Sequence, residues 1–386
     1  MTPPVGTPAS SIVPLPERSF YEQEFAGSAI VVALSAPDAS TIEEVCRAAT
    51  SLARVGGSLV LVVGVGEPAS EAGAGGSADL VAALGTQLGR APKVLAGPRP
   101  DPGGGSVVDW MARLWLAVND GPSVVVEVAD GAESTVAAGL ATAVRAVKLV
   151  ITDPEGGWGE PPRSFADVLD SGQGYQEALA HRQGGRVVPA IERALAGGVT
   201  SANLCRAEDL DRELFTFDGT GTLFTSGGYL RLDRLRVDDL PAVEALVAQG
   251  VADGVLRSRD REEVARLAVT GLGARVLGSD HLSGIVSLDR ETYRDDLVGE
   301  VACLYAVSRF SAAGAGGLLV DGLVEQAEAA GLRAVFAVTV SEAAAAFFER
   351  KGFVEVDHDE LPAAKWDGYD PDRKARARAF LRNTSL

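Results

Sequence analysis

Short apolar runs alternate with stretches of helical spacing in the first part of the chain. Ala29–Leu34 is an aliphatic run, which predicts a buried strand. Ser40 and Glu43 have the spacing of a capping box, and apolar residues then recur every three or four positions as far as Leu52, which predicts a helix. Ser58–Val63 is a second apolar run. Strand, capped helix and strand in this order predict a βαβ unit and a parallel sheet.

The same alternation continues to about residue 226. It predicts a strand at Ser123–Val128, a helix at Ala132–Arg145, a strand at Lys148–Thr152, a helix at Val187–Ala196 and a final hairpin at Leu214–Thr225. Stretches rich in glycine and proline predict the loops between them: Gly66–Ser77, Gly97–Ser106 and Asp153–Arg163. These elements together predict one layered α/β domain.

Gly227-Gly228 is the predicted joint to a second domain. Its predicted strands are Tyr229–Arg234, Ala274–Gly278, Gly284–Leu288, Gly299–Val307, Ala334–Val340, Phe353–Val356 and Ala375–Leu381. Its predicted helices begin at Asp238-Asp239, run from the end of Ser311–Gly317 to Ala330, and cover Glu342–Lys351. The pattern predicts a mixed sheet in which a central strand leads through a glycine loop into a long helix.

The composition excludes several classes of function. A formal charge of −18 argues against a general role on nucleic acid or on an anionic membrane. The three cysteines (Cys46, Cys205 and Cys303) lie singly in apolar contexts, so we expect small buried side chains rather than disulfides or metal ligands. Residues 1–16 carry five prolines, which predicts a disordered tail rather than a secretory signal. The apolar run Ser58–Val65 is too short to span a bilayer, so we expect a soluble protein, and the isolated cysteines fit a reduced cytoplasm.

Ser311–Gly317 is the first segment that suggests a specific chemistry. It joins a strand to a helix, and its glycines and alanines allow backbone N–H groups to converge on an anion near the helix N-terminus. Taken alone, the segment also fits a tight turn in a glycine-rich protein.

The context of this loop resembles the GNAT acetyltransferases. The resemblance rests on Val301–Tyr305, the loop, Leu332–Thr339 and Ala346–Phe353, and it is strongest to the acetyltransferase half of bacterial N-acetylglutamate synthases. The matching residues beyond Phe353 are Leu361-Pro362, Lys365, Tyr369 and Arg373-Lys374, and those upstream are Asp238–Leu240 and Arg257–Arg259.

The amino-terminal half resembles the amino-acid-kinase domain that precedes the acetyltransferase in those synthases. Its landmarks are Phe20-Tyr21, Phe25, Gly27, Val147–Asp153, Gly185–Gly198 and Glu213–Thr222. The resemblance implies an amino-acid-kinase-like three-layer α/β domain at 17–226, followed by a GNAT acetyltransferase α+β domain at 229–386. It also implies a homo-oligomer that assembles through the kinase-like domain.

The kinase-like half lacks the residues that its chemistry needs. Acetylglutamate kinases use lysines to stabilise the transferring phosphoryl group, and this chain has Ala33 and Ala190 at those two places. The usual glycine pair is Ser35-Ala36, and the nucleotide-side loop is reduced to Gly64-Val-Gly66. We therefore expect a domain without kinase activity that serves as a scaffold or sensor.

The resemblance implies L-arginine as a possible regulator of this half. The implied site residues are Tyr21, Glu213, Gly219, Gly221 and Thr222. Glu208 stands where the family has a histidine. The alternative is that these residues merely close a hairpin.

The acetyltransferase resemblance implies acetyl-CoA as co-substrate. Its implied contacts are Leu304, Tyr305, Ala306 and Val307 along the pantetheine chain and Ala312, Ala313, Gly314, Ala315, Gly316 and Gly317 around the pyrophosphate. Ser311 replaces the arginine or glutamine that usually opens this loop, so backbone donors must carry more of the binding.

Two residues are candidates for proton transfer. Glu300 is a candidate base acting through water, and an ordinary strand-end carboxylate is the alternative. Tyr369 matches a family tyrosine and could protonate the departing thiolate, or it could be a hydrophobic cap beside Trp366.

An acidic amino acid as acceptor would need cationic partners for its carboxylates. The candidates are Arg257, Lys365, Arg373 and Arg376, and Arg376 would share a strand face with Arg378. The main hypothesis is acetylation of L-glutamate, the first step of arginine biosynthesis. Thr339-Val340-Ser341 replaces the family's Thr-Thr-Arg, which keeps open a GNAT enzyme of another small amine. The altered kinase half keeps open a non-catalytic amino-acid-sensing protein.

Overall fold

Two separate β-sheets organise the chain, one in each of two units that divide between Tyr229 and Leu230. The structure is a computed structural model, and it describes residues 15–35, 37–66, 71–98, 107–169, 174–217, 219–277, 279–307, 310–311 and 314–384. Within these ranges no helix combines the length and the apolar character that crossing a membrane would require.

The amino-terminal unit alternates strands and helices. Its strands are β1 (Ala29–Leu34), β2 (Ser58–Val65), β3 (Lys93–Ala96), β4 (Ser123–Ala129), β5 (Lys148–Thr152), β6 (Phe165–Asp167), β7 (Ser201–Cys205) and β8 (Thr222–Thr225). Its helices are α1 (Leu15–Glu24), α2 (Ala39–Arg54), α3 (Glu71–Leu88), α4 (Val107–Asp120), α5 (Glu133–Ala143), α6 (Tyr175–Leu179), α7 (Val187–Ala196) and α8 (Leu210–Phe215).

The sheet of this unit has the order β3-β4-β2-β1-β5-β7-β8-β6 and is parallel except where β7 meets β8. Its central strands are buried along their length, as expected for parallel strands covered on both faces. Val31 and Ala33 of β1 share a core cluster with residues of α4, α5 and α7, while α2 packs against β2, α3 and α8. The unit therefore consists of a sheet between two layers of helices, which is the predicted three-layer architecture.

The start of α2 differs from the prediction. Asp38, not the Ser40–Glu43 pair, caps the helix, because its carboxylate accepts a hydrogen bond from the Thr41 backbone N–H at 2.8 Å. Ser40 donates its hydroxyl hydrogen to the same carboxylate, and Glu43 pairs with Arg47. A carboxylate one residue before the helix satisfied the first-turn donors in place of the predicted box.

One predicted loop and the predicted hairpin also need correction. The segment Gly66–Ser77 enters α3 at Glu71, since the buried Leu80 and Leu84 anchor a helix that its glycines alone would disfavour. In the predicted hairpin Leu214–Thr225, the first residues end α8, and only β8 is a strand. Residues 99–106 of the loop Gly97–Ser106 lie outside the described residues. Of the predicted tail 1–16, residues 1–14 also do, and Leu15 opens α1.

The carboxy-terminal unit has a mixed sheet. Its strands are β9 (Leu230–Arg234), β10 (Leu272–Val276), β11 (Leu282–Asp289), β12 (Val298–Ala306), β13 (Ala334–Thr339), β14 (Val354–Val356) and β15 (Arg378–Asn383). Its helices are α9 (Leu240–Ala252), α10 (Arg261–Val269), α11 (Ala315–Ala329), α12 (Glu342–Arg350) and α13 (Pro371–Arg376). The strand order is β14-β15-β13-β12-β11-β10-β9, and only β12 and β13 run parallel.

The predicted strand Ala375–Leu381 begins too early. Asp370 caps α13 by accepting from the Arg373 backbone N–H at 2.7 Å, and Pro371 occupies the first turn, where its missing N–H costs nothing. Arg376 therefore closes a helix while Arg378 opens β15. The prediction that these two arginines share one strand face is wrong.

Candidate active site

The two central strands of the carboxy-terminal sheet separate partway along their length. β12 and β13 pair in parallel only from Val298 with Ala334 to Glu300 with Phe336. β13 pairs on its other edge with β15 along its whole length, while β12 continues beside β11 to Ala306. The edge of β12 that faced β13 is thus released from Val301 onward, and a cleft opens between parallel strands at their carboxyl ends.

A β-bulge distorts β12 inside this cleft. Ala302 pairs with Ser287 and Tyr305 with Ile285, so Cys303 and Leu304 together oppose a single residue of β11. Cys303 has φ +54°, a left-handed conformation that is uncommon for a residue with a side chain. Bulges redirect backbone groups, so this one can aim an N–H into the cleft. Burial raises the pKa of the Cys303 thiol, which disfavours the thiolate.

The predicted pantetheine-lining residues follow this bulge. Leu304 and Ala306 are half-buried, while Tyr305 and Val307 are buried. The Tyr305 hydroxyl donates to a carboxylate oxygen of Asp253 at 2.7 Å, so this side chain is committed to the segment after α9. Tyr305 can therefore contribute to the cleft chiefly through its backbone.

The glycine loop ends at the start of α11. Gly314 is the N-cap with φ +90°, and its N–H donates to the Ser311 carbonyl at 3.1 Å. The next amides, of Ala315, Gly316 and Gly317, belong to the first turn and have no acceptor within the helix. Ala312 and Ala313 lie outside the described residues. The arrangement presents backbone donors and the positive end of the helix dipole, which suits an anion.

Glu300 lies where the two strands part, and both of its oxygens are engaged. Oε2 accepts a hydrogen bond from the Tyr293 hydroxyl at 2.6 Å, and Oε1 contacts Lys365 Nζ at 2.5 Å. The side chains of Glu300 and Lys365 are only 16% and 13% exposed. Burial, reinforced by the charge of Glu300, raises the pKa of Tyr293, which therefore remains a hydrogen donor.

Tyr369 also lies near Lys365. The Lys365 ammonium is 5.4 Å from the centre of the Tyr369 ring, which packs edge-on against Trp366 at 5.3 Å. The structure thus brings the two proton-transfer candidates, Glu300 and Tyr369, to the same lysine. Sequence reasoning missed Tyr293, because a tyrosine in the loop before β12 carries no signal of the carboxylate that it contacts.

The candidate acceptor-binding arginines are less closely grouped. Arg257 is 59% exposed and pairs with Glu263 at 3.0 Å, yet its positive charge is near enough to Tyr293 to oppose the rise in the pKa of that tyrosine. Arg373 is half-buried on α13. Arg376 donates to the Asp372 carbonyl of its own helix.

Arg378 is committed elsewhere. It pairs with Glu342, Glu349 and Glu355, and its hydrogen bonds to Glu355 are the main reason that its pKa is raised. Within the described residues, no three potential His, Cys, Asp or Glu ligands converge on a metal position.

Four of the five candidate arginine-site residues in the amino-terminal unit are buried: Tyr21, Glu213, Gly221 and Thr222. Glu213 is fully buried; its Oε1 accepts from Asn203, and its Oε2 accepts from the Thr220 and Gly221 backbone N–H groups at 2.7 Å each. Tyr21 is 3% exposed beneath neighbouring phenylalanines.

The rest of the candidate arginine turn is equally close-packed. Thr222 accepts from the Trp158 N–H at 2.8 Å, Gly219 has φ +64°, and a Cβ on Gly221 would lie 2.1 Å from the Leu204 carbonyl oxygen. This geometry closes the turn tightly, and a ligand would have to exchange some of these bonds.

The positions where the sequence resemblance implies the two kinase lysines are occupied by packed side chains. Ala33 and Ala190 are buried, and Glu133 lies directly over Gly64, so that a Cβ there would be 1.7 Å from Glu133 Oε1. Burial, reinforced by the nearby Asp130, raises the pKa of Glu133. The carboxyl groups of Glu133 and Asp130 thus both lie beside Gly64.

Two curated relatives are named amino-acid acetyltransferase. The protein from Azotobacter vinelandii is 27% identical over 209 residues, which cover 52% of this chain and 46% of its own. The protein from Pseudomonas fluorescens is 28% identical over 214 residues, which cover 52% of this chain and 47% of its own. The chain therefore spans about half the length of the curated relatives that it matches. No protein-family model matches the chain.

A solved structure extends the likeness to both units. The N-acetylglutamate synthase from Neisseria gonorrhoeae, complexed with coenzyme A and L-arginine, aligns with a TM-score of 0.57 at 19% identity, over 96% of this chain and 98% of that chain. The chain thus shares the α/β fold of that synthase over both of its units. The predicted resemblance and fold class are confirmed.

Proposed function

We propose that the chain is an N-acetyltransferase that transfers the acetyl group of acetyl-CoA to the α-amine of L-glutamate. The observation that carries the proposal is the cleft where β12 and β13 part, with the bulge at Cys303 on one wall and the Gly314-capped helix beside it. The likeness to amino-acid acetyltransferases supports an amino acid as acceptor.

The cleft has what a thioester co-substrate needs. An extended pantetheine chain can pair with the released edge of β12 as a strand would, while the first-turn amides of α11 meet the pyrophosphate. Lys351 lies close to Gly317, where a Cβ would be 2.9 Å from its Nζ, but its ammonium already pairs with Asp321 at 2.7 Å, so the first-turn amides are the main donors to the anion. A redirected backbone N–H at the bulge can stabilise the oxyanion of the tetrahedral intermediate.

The proton transfers are assigned to two side chains. Glu300 accepts a proton from the acceptor ammonium through water, and Tyr369 donates a proton to the departing thiolate. Lys365 lies between them and, with Arg257 and Arg373, offers positive charge to the carboxylates of the acceptor. Arg376 is the weakest member of this set because it bonds its own helix.

A second candidate is an acetyltransferase of another small amine. Ser341 stands where the synthases have an arginine, and its hydroxyl caps α12 by accepting from the Ala344 N–H. One cation of the expected acceptor site is therefore missing. This substitution does not affect the residues proposed for acetyl transfer. It does remove one expected partner for the second carboxylate of an acceptor such as L-glutamate.

For the amino-terminal unit we propose a scaffold or sensor without kinase activity. The missing lysines at Ala33 and Ala190 remove the charges that stabilise phosphoryl transfer, and the carboxyl group of Glu133 over Gly64 opposes a polyphosphate. L-Arginine is the proposed effector, acting near Glu213. We also propose a homo-oligomer, supported by the exposed Trp115 and Leu116 on α4 of this unit.

An acceptor screen tests the proposal. The full chain is incubated with acetyl-CoA and each of a panel of amino acids and small amines, and the release of the CoA thiol is measured. The expected result is the highest kcat/KM with L-glutamate. Preference for another amine would support the second candidate, and the absence of thiol release with every acceptor would favour a non-catalytic sensing protein.

A further inference from the structure

Tyr293 fixes one oxygen of Glu300. Its ring is 4% exposed and packs edge-on against Phe336 at 4.9 Å, within an apolar cluster that includes Val298 and Leu361. This packing restricts rotation of the ring. Its hydroxyl is therefore held within hydrogen-bond distance of Glu300 Oε2, at 2.6 Å. Because burial raises the pKa of Tyr293, this hydroxyl keeps its proton and donates at any working pH.

Lys365 covers the other oxygen. Its ammonium contacts Oε1, and the two side chains are largely shielded from water. A charge pair in such a setting is stronger than a surface pair, because solvent screens it less. Each oxygen of this carboxylate already has a hydrogen-bond partner, so an incoming proton must compete with the Tyr293 hydroxyl at Oε2 or with the Lys365 ammonium at Oε1.

We propose that Tyr293 is a positioning residue that fixes the orientation of the Glu300 carboxylate, and that Lys365 competes with the acceptor's proton for Oε1 until a carboxylate-bearing acceptor draws the ammonium toward itself. The inference rests on the proposed function. It adds that binding of the acceptor carboxylate by Lys365 makes Glu300 available as a base. An ammonium has three donors, so Lys365 can turn to the acceptor carboxylate while it keeps partial contact with Glu300.

The protons balance as follows. The acceptor ammonium loses one proton through water to Oε1 of Glu300, and its electron pair forms the bond to the acetyl carbon. The C–S bond breaks, and the thiolate takes a proton from Tyr369. The nitrogen then loses its second proton to restore Tyr369 through water, and Glu300 releases its proton to solvent.

The first test replaces Tyr293 with phenylalanine. Tyr293→Phe removes the donor that stabilises the Glu300 anion. The acidic limb of the profile of kcat/KM against pH should therefore shift to higher pH by about one unit. The matched control is Tyr175→Phe, which removes a buried tyrosine's hydrogen bond to Glu192 in the other unit and should leave the limb in place. An unmoved limb in Tyr293→Phe, or equal shifts in both variants, would overturn the positioning role.

The second test replaces Lys365 with methionine and compares L-glutamate with n-butylamine, which has no carboxylate. At a pH above the acidic limb, Lys365→Met should lower kcat/KM for L-glutamate and raise it several-fold for n-butylamine, since Oε1 is now uncovered. A lysine that only binds substrate predicts no gain for n-butylamine. An unchanged or lower value with that amine would therefore overturn the covering of Oε1.

A readout independent of turnover separates this inference from the proposed function. The ¹³C shift of the Glu300 carboxyl carbon, assigned by its loss in Glu300→Gln, is titrated in the full chain and in Tyr293→Phe. A midpoint that rises in the variant supports the inference, and an unmoved midpoint overturns it even in an active enzyme. Absence of thiol release with every acceptor ends the proposed function instead.

Discussion

Glu300 and Phe336 form the last paired position between β12 and β13, and every group in the candidate active site is arranged around the point where that pairing stops. Phe336 supports the ring of Tyr293, which bonds Glu300, and Glu300 in turn contacts Lys365. The end of the strand pairing therefore determines both the opening of the cleft and the placement of its carboxylate.

Acetyl-CoA binding should depend on the conformation of Gly314. A side chain at φ +90° is strained, so Gly314→Ala should displace the first-turn amides and weaken acetyl-CoA binding by about tenfold or more. The control is Gly331→Ala, beyond the other end of α11, where φ is +72° and a Cβ meets nothing within 4 Å. Calorimetry should show weaker binding only for the first variant, and equal affinities would contradict the assignment of the loop.

Thiolate protonation should depend on the Tyr369 hydroxyl. Tyr369→Phe keeps the ring against Trp366 and removes only the donor, so kcat should fall by about 10²–10⁴-fold while acetyl-CoA affinity is unchanged. Steady-state kinetics with calorimetry measure both quantities. Full turnover in this variant would make Tyr369 a packing residue and leave the fold assignment intact.

The strands and helices with continuous apolar signals were predictable. β1, β5 and α7 have the predicted bounds, because a fully buried strand or an amphipathic helix repeats its apolar residues without interruption. The predicted hairpin failed because Leu214 and Phe215 also fit the last turn of a helix, and apolar spacing alone does not separate the two for so short a run.

The site was less predictable than the fold. The segment Ser311–Gly317 was predicted from its glycines, and Glu300 from its place on the central strand. The Tyr293–Glu300–Lys365 arrangement could not be predicted, since Lys365 is 65 residues from its partner and the contact exists only once β13, β15 and the loop before β12 pack together. Local sequence patterns carry no information on such a contact.

The amino-terminal unit should not phosphorylate N-acetylglutamate. Ala33 and Ala190 provide no cation for the transferring group, and the Glu133 carboxyl group covers Gly64. The full chain with ATP and Mg²⁺ should release ADP at the same slow rate with and without N-acetylglutamate. ADP formation that requires N-acetylglutamate would contradict this expectation.

L-Arginine should act through the turn that Glu213 closes. We expect it to change kcat without competing with the acceptor, and we expect Glu213→Gln to remove the response, because the buried carboxylate holds Asn203 and two backbone amides. L-Lysine at equal concentration is the control for a general cation effect. Competition with L-glutamate, or an unchanged response in the variant, would place arginine at another site.

The most direct test of the account is to identify the product of acetyl transfer. The full chain is incubated with L-glutamate and acetyl-CoA that carries ¹³C in its acetyl group, and both free CoA and labelled N-acetylglutamate are quantified by mass spectrometry. The account predicts labelled N-acetylglutamate equal in amount to the CoA released, and loss of both in Glu300→Gln. Release of CoA without labelled N-acetylglutamate, or no release at all, would contradict it.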